Sequence, residues 1–157
     1  MVNTTEIDNL IIDCDSNPFC PDGWKVKQHI KNGQVKWNPN EFKFHLSLNQ
    51  LDSKTIQGYD LLRELEKKPV LNTNVLFYHL LKKPHLIPEE WGKDEQGETL
   101  CIPFWGTIYE NSVGDLYVCY LYRKGDIWDW HYKWLGFFFG SDSPALISAK
   151  NLRDLEI

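Results

Sequence analysis

Three side chains near the end of the chain, Tyr120, Asp129 and His131, are of the types that share acid–base work. A carboxylate can orient an imidazole as a general base, and a phenol can pass a proton. Such a base also needs a nucleophile or an activated water, and a site that stabilises developing charge. Neither is signalled: there is no Gly-x-Ser-x-Gly, His-Glu-x-x-His, Walker loop or Gly-x-Gly-x-x-Gly. Cys14, Cys20, Cys101 and Cys119 are expected to be free thiols, and the Cys14-x5-Cys20 spacing is too wide for a zinc knuckle. Pairing Cys14 or Cys20 with a distant histidine as a thiol nucleophile is arithmetically open, and no spacing selects it. His45, His79 and His85 follow no ligand spacing and read as helix-surface or core groups. No metal and no cofactor are expected.

Charge narrows the partners. The 157 residues carry a formal charge of −5, with four lysines and no acid between residues 25 and 36, and five acids and no Lys or Arg in residues 1–22. An acidic whole argues against non-specific nucleic-acid binding, which needs a continuous basic surface. Lys25, Lys27, Lys31 and Lys36 beside His29 read as a solvated strand face that deters edge pairing. No stretch approaches 18 consecutive apolar residues, so no membrane-spanning helix is expected. The first six residues lack a basic segment and an apolar core, which points to the cytosol.

The elements that would position these groups follow from patterning. Asn32-Gly33 lies between alternating runs at 24–31 and 34–37, the signature of a type I′ hairpin that puts Trp24, Val26, Ile30, Val35 and Trp37 on one face. Leu10-Ile11-Ile12 could form another strand. Asn38-Pro39 reads as a helix cap, and the following Phe42–Leu48 run is taken as helix although it also alternates as a strand does. Residues 57–68 read as an amphipathic helix stopped by Pro69. A third, largely buried helix is expected from the caps Asn72-Thr73-Asn74 to Lys82-Lys83-Pro84.

Of seven Trp, seven Tyr and eight Phe, 13 fall between residues 101 and 139, ten of them in strand-like runs at 102–109, 116–123 and 127–135. They predict an antiparallel meander. With Lys124-Gly125 as a two-residue loop, Tyr120 would face Asp129, with His131 two residues further on the same side. A four-residue loop at 111–114 would add Trp105, Thr107 and Tyr109 to the face of Tyr120, Tyr122, Asp129 and His131, and place Phe104 and Ile108 on the opposite, core face. A three- or five-residue loop would exchange Trp105, Thr107 and Tyr109 between faces.

Pro21-Asp-Gly-Trp24, Leu86-Ile-Pro-Glu-Glu-Trp91, Phe104-Trp-Gly-Thr-Ile-Tyr109, Leu116-Tyr-Val-Cys-Tyr-Leu-Tyr122 and the Trp/Tyr-alternating strand after them occur in succession. In this the chain resembles a family of small uncharacterised bacterial proteins, over residues 14–148. The resemblance implies a bacterial origin and a single domain, and it transfers no catalytic residue, cofactor or partner. The expected fold is therefore one α+β domain over 1–157, with an N-terminal hairpin, three helices, a C-terminal three-stranded meander, and tails that fray at 1–13 and 150–157. The expected function is a non-enzymatic protein-binding module of the inhibitor or immunity kind. Its binding face is Trp105, Tyr109, Tyr120, Tyr122, Asp129 and His131, because Tyr and Trp give large contact area with little entropy to lose. A small hydrolase or transferase using Asp129, His131 and Tyr120, and a glycan-binding face on the same rings, are the alternatives. The partner is expected to be another protein or peptide, with neither nucleic acid nor membrane involved.

Overall fold

A computed structural model describes residues 10–149, so residues 1–9 of the tail expected at 1–13, and the tail expected at 150–157, lie outside the described residues. The architecture is mixed α+β, built on a five-stranded antiparallel sheet. Its long strand β8 (Leu116–Lys124) pairs along one edge with β9 (Ile127–Trp134). The other edge is shared by β6 (Ile102–Pro103) and β7 (Thr107–Glu110), the two halves of a strand broken at residues 104–106. The meander expected from the sequence is therefore present, with its first strand interrupted. Outside β7 lies β2 (Lys25–His29).

That pairing replaces the expected N-terminal hairpin. Rather than joining β2, β3 (Gln34–Lys36) pairs with β1 (Ile11–Asp13), so residues 11–13, expected to fray, are part of the fold. A type I′ turn needs both central residues at positive φ, but only Gly33 is there, at 77°. Asn32 is held by longer contacts: its Nδ2 donates to the Val70 carbonyl at 3.1 Å, and its Oδ1 accepts from the Asn72 amide at 3.1 Å. A bulge between Val26 and Gln28 then reverses the alternation within β2. Lys25, Lys27, Lys31 and Lys36 remain exposed, while His29 turns inward opposite Thr107.

The first expected helix is also corrected. Asn38 does cap, accepting from the Asn40 amide with Pro39 at the first position, but the turn ends at Glu41. Phe42–His45 is strand β4, paired with β11 (Ala145–Ser148). The alternation prevails because Phe42 and Phe44 pack against a large core, and burial outweighs the few tenths of a kcal/mol per residue in local propensity. Two helices remain of the expected three: α1 (Gly58–Glu64), entered from β5 (Ile56–Gln57), and α2 (Thr73–Val75), which continues as a π-turn over Leu76–Leu80. β5 pairs with β10 (Phe138–Phe139).

The sheet has a core on each face. On one side Phe104, Tyr109, Cys119 and Leu121 pack with Trp37, Leu76, Leu80 and Trp91. On the other, Trp105, Ile108 and Val118 pack with Leu61, Leu65, Leu135, Phe139 and Ile147. Among the described residues no helix is long and apolar enough to cross a membrane.

Candidate functional site

The β8–β9 hairpin sets the geometry. Lys124 pairs with Ile127 across Gly125-Asp126, and Gly125 has φ 62°. The expected Lys124-Gly125 loop would have demanded that left-handed conformation of a lysine, whereas this one assigns it to glycine. The register therefore slides by two residues, which changes partners and preserves faces. Tyr120 stands opposite His131 and Tyr122 opposite Asp129. The Tyr120 ring lies 6.2 Å from the His131 ring and 5.6 Å from that of Tyr122.

The β7–β8 connection divides the expected face. The Asn111 amide donates to the Asp115 carbonyl at 3.0 Å around a three-residue loop ending in Gly114, whose φ is 88°. The Asn111 side chain closes the loop by accepting from the amides of Val113 and Asp115. This loop length sends Thr107 and Tyr109 to the face of Cys119, and Ile108 to that of Val118. Tyr109 has no exposed surface, and its hydroxyl donates to the Phe19 carbonyl at 2.7 Å. Burial pushes its phenol far above the usual range. Trp105 keeps the expected side but is 1% exposed, with its ring 5.3 Å from that of Phe139. Neither Trp105 nor Tyr109 can therefore be a contact residue.

What stays open is the outer half of β8 and β9. Asp129 and His131 are exposed, and Tyr120 and Tyr122 half-buried. At the inner boundary the Lys133 ammonium lies 4.1 Å over the Phe139 ring and donates to the Phe138 carbonyl at 2.8 Å; burial lowers its pKa. Partial burial raises the pKa of the Tyr120 phenol.

Asp129 does not orient His131. Its Oδ1 accepts from the next amide, Trp130, at 2.8 Å. His131 Nδ1 accepts from the Tyr132 amide at 2.8 Å and lies 3.0 Å from the Tyr132 carbonyl oxygen, so that nitrogen is engaged with the neighbouring backbone rather than with Asp129. Clefts of about 560 and 600 Å³ lie elsewhere, one between Glu89–Lys93 and Arg123–Asp126, the other beside Lys54, Gln57 and Asp60. No group of three or more metal-ligating side chains exists among the described residues.

A second polar cluster, visible in the sequence only as helix caps, has Asn72, Thr73, Thr107 and Tyr109 buried and His29 partly so. Asn72 caps α2 by accepting from the Asn74 amide, and its Nδ2 donates to the carbonyls of Cys14 and Ile30, both at 2.8 Å. The Thr107 hydroxyl oxygen accepts from the Thr73 amide and contacts His29 Nδ1, each at 3.0 Å, and Thr73 contacts the Tyr109 hydroxyl at 3.0 Å. Burial lowers the pKa of His29. The signal available in the sequence was three consecutive polar residues between Val70-Leu71 and Val75-Leu76. All these partners are groups of the same chain, so the cluster joins the N-terminal segment, β2, α2 and β7.

No family model, curated protein or solved structure matches the chain.

Proposed function

We propose that the chain is a non-enzymatic cytosolic module that binds another protein or peptide, of the inhibitor or immunity kind, through Tyr120, Tyr122, Asp129 and His131. The observation that carries this reading is the uncovered outer half of the β8–β9 face. In a fold whose sheet carries a core on each face, two tyrosines stand half-open beside an exposed carboxylate and imidazole. Tyrosine offers amphipathic contact area at the entropy cost of two side-chain torsions, which suits protein recognition. The engagement of Asp129 and His131 with backbone amides favours binding over hydrolase or transferase chemistry.

The test is capture from native lysate with the wild type and with Tyr120→Ala/Tyr122→Ala, followed by affinity measurement on each captured protein. A contact centre loses about 2 kcal/mol or more on truncation, roughly 30-fold in Kd. Recovery of every partner at wild-type affinity would remove this face from consideration. Substitution of Val113, exposed on the β7–β8 loop, is the control expected to change nothing.

A further inference from the structure

Among the described residues β9 is the outer strand of the sheet on its side, pairing with β8 alone in the five-stranded order. The Leu135 amide donates to the Leu116 carbonyl, so the odd-numbered positions of β9 exchange hydrogen bonds with β8. The amides of Trp128, Trp130, Tyr132 and Trp134 therefore point away from the sheet. An exposed strand edge of this length, rich in Trp and Tyr, is a template for another strand.

The residues preceding those four amides are Ile127, Asp129, His131 and Lys133. Only the middle two carry an acceptor, and both use it on the edge. Asp129 Oδ1 takes the Trp130 amide and His131 Nδ1 the Tyr132 amide, each at 2.8 Å. We propose that Asp129 and His131 close the edge of β9, and that the occupant they exclude is β9 of a second copy of this chain. Self-complementarity selects that occupant. In an antiparallel pair centred on His131, the outward groups of Trp130 meet those of Tyr132 in the other copy, and Asp129 stands opposite Lys133 of the other copy twice. This assignment stands whether or not the adjoining face binds a partner.

The experiment has two independent arms. In the wild type, amide hydrogen exchange at Trp130 and Tyr132 is expected to be about tenfold or more slower than at Trp128, whose preceding side chain can cap nothing. Equal exchange at the three overturns the proposal without any variant. His131→Val frees the central amide while keeping Asp129 and Lys133. By light scattering after gel filtration, the wild type is expected at monomer mass, His131→Val in a concentration-dependent monomer–dimer equilibrium, and His131→Val/Asp129→Lys, which opposes lysine to lysine, at monomer mass again. A wild-type dimer joined through β9, or a folded His131→Val that stays monomeric to its solubility limit, overturns the assignment.

Discussion

His79 is the residue with the clearest pH consequence. It is 5% exposed, its Nε2 has no hydrogen-bond partner among the described residues, and its ring stands edge-on to Trp37 with centroids 5.5 Å apart. Burial, and secondarily Lys83, push its pKa down from 6.5 to about 4. The unfolded chain therefore takes up this proton first as pH falls, so stability is full above pH 6.5 and lost as pH falls from there to about 4. At about 1.4 kcal/mol per pKa unit the loss by pH 4.5 is about 2–3 kcal/mol. Urea unfolding at pH 7 and 4.5 should show it, and His79→Met, which fills the same apolar site without a titrating group, should flatten the difference by that amount. A slope unchanged in His79→Met would place the acid sensitivity on other groups, such as His29 and His45, whose pKa values burial also lowers. Asp52 and Ser53 store strain of a different kind. Both take positive φ, 55° and 65°, in a turn closed by the Lys54 amide on the Leu51 carbonyl. This is the conformation that Asn-Gly adopts without penalty. Replacing the pair by Asn-Gly should raise stability by about 1 kcal/mol in the same assay.

At the scale of elements, the crossing of α2 with the broken first strand is a close backbone-to-backbone approach. A Cβ on Gly106 would stand 2.7 Å from the Asn72 amide nitrogen and 2.8 Å from the Asn72 Cα and Leu71 carbonyl carbon, all of them backbone atoms that cannot turn aside. The Gly106 amide also donates to the Leu71 carbonyl, and its carbonyl accepts from Ile30. Gly106→Ala should therefore destabilise by about 3 kcal/mol or more, in the overpacking range or above it, read as a lowered denaturation midpoint at unchanged slope. Asn72→Ala should cost about as much, since it removes a helix cap and leaves the carbonyls of Cys14 and Ile30 buried without their donor. This joint also marks how far the sequence could be read. Local rules found the caps at Asn38 and Asn72, the amphipathic α1, the β8–β9 hairpin and the faces of its side chains, because each rests on neighbours in sequence. They failed at Asn32-Gly33, at Phe42–His45 and at the 111–114 loop. At the first two the deciding partners are distant, Val70 and Asn72 for Asn32 and β11 for β4. At the third the Asn111 side chain sets the loop length by accepting from the Val113 and Asp115 amides, a choice among three-, four- and five-residue loops that residue types alone do not make. For the candidate site, parity along β8 and β9 was legible while the reach of the covering elements was not, which is why Tyr120 stayed on the surface and Trp105 did not.

For the whole molecule, the distribution of rings is a matter of which parts of the chain lie over which face of the sheet. The N-terminal segment crosses the face of Cys119 and Leu121: Tyr109 and Tyr78 donate to the carbonyls of Phe19 and Asn17, and Trp24 sits between Tyr117 and Tyr132 with centroids 4.7 and 4.6 Å away. α1, Phe139 and β11 cover the inner half of the other face, around Trp105 and Val118, and leave the outer half with Tyr120 open. Two rings from one expected surface should therefore behave oppositely. Trp105→Ala opens a cavity between α1, Phe139 and the sheet and should cost about 3–5 kcal/mol. Tyr120→Ala removes a half-solvated ring and should cost about 1 kcal/mol or less. Chemical denaturation of the two variants measures the contrast directly. Similar losses would mean that the outer half of the face is core as well; a wide difference leaves Tyr120 free to be retained for contact, since its contribution to folding would not account for a large ring at that position.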